Sequence, residues 1–367
     1  GSLISFLDAP DVTYRVDRVE RGAYSMIDAT RHDPTVRQVS PPIQQQPHMT
    51  PFVPPLSVDV TFLDLPMLSA DQMGHAPYVV ASGDPWPGPV AVYAADEEDD
   101  FKQVSILNRR ATKGKLNTKL SAGIHSRLQH GQSVTVTLSS GQLSSVSMLQ
   151  MLNGANTAAV GNASHGQWEV IQFQSAELLA QNTYRLTNLV CGKFGSHAED
   201  HGGWAQGSDF ILLHSEIDQL PISEENRTAK RAYRYGPSGR AYNHPSYREE
   251  ILDFTARGLR PLSPCHLTCT KSEAGWILQW IRRGRVNADT WDGIDIPLGE
   301  ESEQYHVRVL RSGQTVIEFT TSSPKATISN AHITAHQLDI DAQAISIEVA
   351  QISNTYGPGV SAVLEVV

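Results

Sequence analysis

The chain has 367 residues and a formal net charge of −10, with 29 Lys plus Arg against 39 Asp plus Glu. This length predicts two or three domains, and the 27 Gly and 21 Pro suit strands and turns better than helix bundles. The acidic balance argues against a nucleic-acid or anionic-membrane surface, which needs clustered Lys and Arg, and no apolar run reaches the roughly 18 residues of a membrane-spanning helix.

Residues 1–40 are expected to be the terminal strands of a domain that begins before residue 1. Apolar side chains alternate there, for example at Tyr14 and Val16, which is the period of a strand, but they are too few for a core of their own. Residues 41–55 are dense in proline and are predicted to form an extended linker or strap. The alternative is a proline-rich ligand for an SH3-type module.

Residues 56–257 are expected to form a β-rich domain. Val134 and Val136 alternate with polar residues, as in a strand with one buried face. The stretch 148–195 is predicted to contain short strands joined by polar turns. The acidic run at 96–100 lacks the Asp-x-Asp-x-Asp-Gly spacing of a calcium loop, so a solvated turn is the better interpretation.

His197 and His201 form the one metal-like pattern in the sequence, because two His four residues apart share a helix face and can bind zinc. Gly195 before them and Gly202 after them predict a loop, in which that spacing loses its meaning. We therefore expect no bound metal, and we predict no cofactor.

A basic stretch with two tyrosines occupies residues 227–240. Its members are Arg227, Lys230, Arg231, Arg234 and Arg240, with Tyr233 and Tyr235 between them. Basic and aromatic side chains together can bind single-stranded nucleic acid. Because the chain is acidic, an exposed strand or a subunit contact is the better interpretation.

Residues 258–367 have the pattern of a small β-sandwich. Trp276, Leu278 and Trp280 lie on one face of a predicted strand. The same period recurs at Tyr305, Val307 and Val309, and at Ile345, Ile347 and Val349. Turn-forming Gly, Ser and Pro separate these strands, as is typical of sandwiches.

The loop between residues 287 and 303 is rich in acids. Its carboxylates include Asp292, Asp295, Glu300, Glu301 and Glu303. A glycosidase needs two carboxylates about 5 to 9 Å apart across a cleft, but one loop of a small sandwich offers no cleft, and solubility is the simpler explanation. The sequence has no Gly-x-Ser-x-Gly elbow and no glycine-rich phosphate loop, so no catalytic residue is assigned.

The three cysteines are not expected to pair. Cys265 and Cys269 lie four positions apart in a predicted strand, which separates them by about 13 Å at about 3.3 Å per residue. A disulfide joins Cα atoms no more than about 7 Å apart, and Cys191 has no obvious partner. This cysteine usage indicates a reducing compartment.

Trp204 and Trp291 lie in predicted loops and are the candidate surface-contact residues. A loop tryptophan can stack on a sugar ring or anchor a protein contact. The alternative is that each side chain folds back over the core of its own domain, which is the commoner case for aromatic residues.

The C-terminal pattern resembles a fibronectin type III domain. A proline-rich segment at 261–264 precedes a Trp-bearing strand and a Tyr-x-Val-x-Val strand. An apolar strand then runs into Gly-Pro-Gly at 357–359 and a short last strand follows. Two features depart from that family's pattern, namely the acidic insert at 287–303 and Gln351, where a small apolar residue is usual.

A second resemblance covers nearly the whole chain from about Leu56. Its motifs are, in order, 76–78, 85–93, Gly-Ala-Asn at 154–156, Trp-Glu-Val-Ile-Gln-Phe at 168–173, 176–178, 184–195, 235–240, 260–264, 280–283 and 286–302. In this order they are similar to the C-terminal region of the large tail-hub (baseplate) protein of gene transfer agents and related tailed phages. Departures from that pattern are Cys191, where a basic residue is usual, and the His-rich loop after it.

This second resemblance implies a structural protein of a virion tail tip, assembled in the cytoplasm of a bacterial host. It implies other tail and baseplate proteins as partners, a homotrimer in the assembled particle, and a TIM-barrel-like segment preceding this region in the complete proteins. The chain alone is expected to be a monomer. A cell-surface glycan or receptor is the expected ligand, and no nucleic acid is expected.

Together these patterns predict an all-β protein. Residues 56–257 form a β-barrel or β-sandwich hub domain, and residues 258–367 form a fibronectin type III-like sandwich. The predicted function is that of a non-enzymatic baseplate hub component that positions loops for host-surface contact. The alternatives are a cell-wall carbohydrate-active enzyme and a glycan-binding module.

Overall fold

The computed structural model describes residues 1–34, 58–96, 100–196, 202–213, 217–288, 295–338 and 344–366. The chain divides into two compact units, Gly1–Val53 and Pro54–Val367. The predicted linker at 41–55 lies outside the described residues. The first unit contains a three-stranded antiparallel sheet of β1 (Leu3–Phe6), β2 (Ala9–Arg21) and β3 (Ser25–Arg31), with β2 in the middle.

The first thirteen strands of the second unit form two structures, a sandwich and a barrel. In chain order they are β4 (Asp59–Leu63), β5 (Tyr78–Ser82), β6 (Val90–Ala95), β7 (Lys102–Leu107), β8 (Lys113–Leu116), β9 (Leu128–Ser140), β10 (Thr157–Asn162), β11 (Gln167–Ala180), β12 (Thr183–Val190), β13 (Asp209–Leu212), β14 (Asp218–Gln219), β15 (Arg231–Pro237) and β16 (Arg248–Leu252). Strands β8 to β13 close into an antiparallel barrel in the order β10-β11-β12-β9-β8-β13. The barrel is therefore inserted between β7 and β14 of the sandwich.

The sandwich is built from chain segments on both sides of the barrel. One sheet has the order β14-β5-β4 and the other the order β16-β15-β6-β7. Their shared core includes Phe62, Val92, Tyr233 and Tyr235, each at most 9% exposed. Two-residue alternation places these side chains on the inner face of each strand.

Strand β11 explains how the barrel attaches to the sandwich. Every residue from Trp168 to Phe173 is buried. Ile171 and Phe173 belong to the barrel core, whereas Trp168 and Val170 pack in a second cluster with side chains of β4 and β5. The near-continuous apolar run in the sequence therefore reflects a strand with both faces covered.

The C-terminal sandwich consists of eight further strands and one short helix. They are β17 (Cys265–Ser272), β18 (Gly275–Ile281), β19 (Tyr305–Arg311), β20 (Gln314–Thr321), β21 (Lys325–Ser329), α2 (Asn330–Ala335), β22 (Ile345–Ser353), β23 (Gly357–Pro358) and β24 (Ala362–Val366). One sheet is β17-β18-β21; the other is β20-β19-β22, and β23 and β24 pair with β22. The alternating residues predicted for its core are all buried, including Trp276, Trp280 and Tyr305.

The predicted all-β fold class is thus confirmed, with three local differences. Residues Met148–Leu152 form a short helix, α1, rather than a strand, because Ser147 and Gln150 make a reciprocal capping box. The basic strand β15 is internal to its sheet, not exposed as predicted, since it pairs with both β6 and β16. Glu300 and Glu301 of the acidic loop make structural contacts, whereas the sequence predicted a role in solubility. No helix of the described residues is long and apolar enough to cross a membrane.

Candidate functional site: the inserted barrel and the cleft beside it

The barrel contains a buried carboxylate on β11. Glu169 is 8% exposed. One of its oxygens accepts the Gly192 N–H at 2.9 Å, and the other accepts the Trp204 indole N–H at 2.7 Å. A buried carboxylate needs such donors to offset its lost hydration. Glu169 therefore ties β11 to the turn after β12 and to the segment that precedes β13.

Trp204 is not a surface residue. Its side chain is 5% exposed and belongs to the barrel core, and its backbone pairs with Leu120 across an isolated bridge. The structure corrects the candidate role given to it as a surface contact: the indole covers the core, which was the alternative interpretation. Trp291, the other candidate, lies outside the described residues.

Cys191 lies beside this buried carboxylate and is itself buried. Burial, with a further contribution from the nearby Glu169 charge, raises the pKa of the Cys191 thiol to about 12. The thiol is therefore neutral at physiological pH, and a neutral buried thiol is a poor nucleophile. Its role here is packing.

His197 and His201, for which the sequence analysis expects no bound metal, lie outside the described part of the chain. Across the ranges that the structure describes, no group of three or more His, Cys, Asp or Glu side chains is placed to hold a metal ion.

The basic stretch at 227–240 is built into the sandwich. Tyr233 and Tyr235 are each 1% exposed, so neither ring is available to stack on a base. Arg231 pairs with Asp96 at 2.6 Å. Arg234 pairs with Glu249 and lies over the Phe101 ring, 4.2 Å from its centroid.

The acids predicted to serve solubility have structural roles wherever their contacts are described. Glu300 pairs with Arg285 at 2.8 Å, and burial raises the pKa of its carboxyl. Glu301 accepts hydrogen bonds from the Thr355 hydroxyl and from the Asn354 N–H, and these and related bonds lower its pKa to about 2. The loop is thereby fastened to the end of β22.

A polar cleft of about 1160 Å³ separates the barrel from the sandwich. The buried Lys113 of β8 donates to Asp59 at 2.8 Å and to the Thr61 hydroxyl at 2.6 Å, both on β4. Lys115 pairs with Asp209 at 3.0 Å within the barrel wall. The cleft is somewhat larger than the roughly 300–1,000 Å³ of a typical small-molecule site, and its walls present hydroxyls and paired charges suited to a hydrophilic ligand.

The barrel also presents apolar side chains to solvent. Leu149 and Leu152 are each 68% exposed and lie three residues apart on α1, so they share one side of that helix. The segment before α1 is hydrogen-bonded to β11, since Val146 N–H donates to the Gln174 carbonyl at 2.9 Å. Contact surfaces are marked by contiguous apolar patches much larger than one such pair, and single exposed apolar residues are ordinary on a protein surface.

These observations define an all-β protein with an inserted six-stranded barrel, a polar cleft and a second sandwich. Residues 111–211 match the family model described as "Rcc01698-like, C-terminal". The match begins two residues before β8 and ends one residue before the end of β13, so it coincides with the barrel. No curated protein matches the chain.

The sequence analysis predicted strands at β9, β11 and β12 but missed β8, β10, β13 and the structural role of Glu169. The available signal was a single charged residue within the apolar run from Trp168 to Phe173. A carboxylate buried in that position requires partners. Those partners come from positions 192 and 204, which no local pattern connects to β11.

Proposed function

We propose that the chain is a structural component of the distal tail, at the baseplate hub, of a phage-like particle or gene transfer agent. The observation that carries this proposal is the coincidence between the family match and the closed barrel. The wider sequence resemblance to tail-hub proteins supports it, because its motifs lie both inside the barrel and on either side of it.

The C-terminal sandwich fits the same proposal. Strands β17, β18 and β21 form one sheet, and β19, β20, β22, β24 and the two-residue β23 form the other. Apart from the two-residue β23, three strands face four, and this arrangement supports the resemblance to a fibronectin type III domain. In the proposed function this domain is a rigid spacer and contact module behind the barrel.

The proposed mechanism is geometric. Closed and paired strands hold the connecting loops in fixed positions, so little entropy is lost when a loop meets its target. Three copies around the tail axis would present three equivalent surfaces to the host cell. Avidity then multiplies a weak individual contact, provided that all three can engage together.

An electron-microscopy map of the purified particle tests this proposal. We expect density at the tail tip into which the barrel and the two sandwiches can be placed, repeated three times around the axis. Density for the chain in the head or along the tail tube, or absence of the chain from the particle, would contradict it.

The cleft gives a specific reason to keep the carbohydrate alternative. Its volume of about 1160 Å³ and its polar walls could accommodate a glycan. Incubation with bacterial cell-wall glycan, followed by a reducing-end count over time, separates the possibilities. A rising count indicates an enzyme, and binding on a glycan array without turnover indicates a binding module.

A further inference from the structure

A second pocket, of about 680 Å³, lies where the barrel, the loop after β4 and the beginning of the C-terminal sandwich meet. Among the described residues its lining includes no Asp or Glu. It includes five basic side chains, which are Lys193, Arg257, Arg260, Arg283 and Arg285. In a chain of net charge −10 this is a marked segregation of positive charge, and a concave surface of one sign concentrates its field.

Two of the four arginines in this set have guanidinium N–H groups that are not used in hydrogen bonds to the described residues. Arg285 is neutralised by Glu300, whereas the side chains of Arg257 and Arg283 make no hydrogen bond or ion pair with any residue in the described ranges. Both are half-buried. A guanidinium carries five N–H donors in a planar fork that matches the oxygens of phosphate.

The pocket is held in shape by close contacts between its walls. Gly195 has φ +68°, and a Cβ built there would meet a Leu262 methyl group at 2.4 Å, so the turn at 193–195 packs directly on the segment entering the C-terminal sandwich. Arg285 donates to the Gly258 carbonyl at 3.2 Å across the same junction. A pocket with fixed walls binds without a large ordering cost.

Three of the ten non-glycine residues with positive φ in the described part of the chain line this pocket. Ser126, Phe194 and Asn287 line it and have φ values of 56°, 55° and 48°. Residues with a Cβ rarely adopt that left-handed region, and such strain is found preferentially at functional sites. The Phe194 ring is 37% exposed, so an aromatic face stands beside the basic groups.

We propose that this pocket binds a sugar phosphate, with the phosphate held by Arg257 and Arg283 and the sugar ring packed against Phe194. A phosphate monoester carries a charge of about −1.5 to −2 at neutral pH. It therefore balances the two positive charges of Arg257 and Arg283 better than a ligand with a single carboxylate would. The volume suits a ligand of mono- or disaccharide size. The inference that such a group belongs to a cell-surface glycan rests on the proposed function.

Isothermal titration of the full chain at low salt tests the proposal with three probes: glucose 6-phosphate, inorganic phosphate and glucose. We expect the sugar phosphate to bind most tightly, inorganic phosphate more weakly, and glucose not measurably. Arg257→Gln and Arg283→Gln should each weaken the sugar phosphate about tenfold or more, because each removes charge-assisted hydrogen bonds. Arg240→Gln removes the same charge from an exposed turn outside the pocket and should change nothing.

Phe194→Gly tests the ring contact while keeping a residue that tolerates a φ of 55°. It should weaken glucose 6-phosphate and leave inorganic phosphate unchanged. Thermal melts of every variant establish that it is folded.

Equal affinity for glucose and glucose 6-phosphate, or wild-type affinity in both folded arginine variants, would overturn the proposal. So would inorganic phosphate binding as tightly as the sugar phosphate. None of these results depends on the particle, so the pocket can fail while placement of the chain at the tail tip stands.

Discussion

At the scale of single residues, buried charges connect segments that are distant in sequence. Glu169 joins β11 to positions 192 and 204, and Lys113 joins the barrel to Asp59 and Thr61 of the sandwich. Each charge is surrounded by hydrogen-bonding partners. Removing one partner leaves the other buried without compensation, which is more costly than losing an exposed pair.

Glu169→Gln should destabilise the chain by about 1–3 kcal/mol, because an amide offers one acceptor where the carboxylate offers two to Gly192 and Trp204. The measurement is the midpoint of denaturant unfolding. Glu177→Gln is the matched control on the same strand. Its carboxylate is exposed and pairs with exposed Arg185, so a change under about 1 kcal/mol is expected. An equal loss of unfolding free energy in the two variants would show that the buried contacts of Glu169 contribute no more to stability than an exposed ion pair does.

Glu301 should make stability depend on acid pH. Its folded-state pKa of about 2 lies below the unfolded value of about 4.3, so its contribution is fully present above the unfolded pKa and is lost as pH falls through the folded pKa. The melting temperature of Glu301→Gln should be below that of the wild type at pH 6, and the gap should narrow between about pH 4 and pH 2.

The control for that experiment is Glu365→Gln, an exposed position on β24 of the same sandwich. Its melting temperature should follow that of the wild type at every pH. A gap for Glu301→Gln that stays constant from pH 6 to pH 2 would contradict the role assigned to its hydrogen bonds.

At the scale of strands, two-residue alternation determines which side chains form the core of the C-terminal sandwich. On β18, Trp280 is 4% exposed whereas its neighbour Ile281 is 56% exposed. The Trp280 ring also meets the Tyr305 ring edge-on, with centroids 5.1 Å apart. One strand therefore supplies both a core residue and an exposed comparison.

Trp280→Ala should cost about 3–5 kcal/mol, the usual loss for truncating a buried Trp. Hydrogen exchange in the full chain should then rise sharply in β19 and β22, which pack on this side chain, while barrel peptides keep their protection. Ile281→Ala should leave exchange in both regions close to wild type. Similar exchange in the two variants would mean that the register of β18 is wrong.

Local patterns predicted several of the strands, such as β9 and β18, but not which strands pair with one another. In β9, β18, β19 and β22 apolar and polar residues alternate because one face of each strand is buried. This alternation was enough to predict the all-β class. The position of the barrel within the sandwich depends on pairings such as Ala95 with Ala232, which no window of sequence contains. The acids at 300 and 301 were misjudged for the same reason, because their partners lie at 285 and 353–355.

At the scale of the whole molecule, association should be weak for the chain alone. Its net charge of −10 opposes self-association, and the proposed hub gains strength from many copies held together in the particle. Sedimentation at micromolar concentration should give a monomer of about 40 kDa. A stable species of three times that mass would show that the contacts sufficient for a trimer reside in this chain.

The inserted barrel also imposes an order on biosynthesis. The ribosome delivers the hairpins β4–β5 and β6–β7 first, but β14 and β15, which complete the two sheets, emerge only after the whole barrel. At about 5–20 residues per second, the edges of β5 and β6 wait on the order of ten to thirty seconds for their partners. Unpaired edges recruit other chains during such a delay. Slow translation of the residues between β7 and β14 would therefore prolong the interval in which these edges are unpaired.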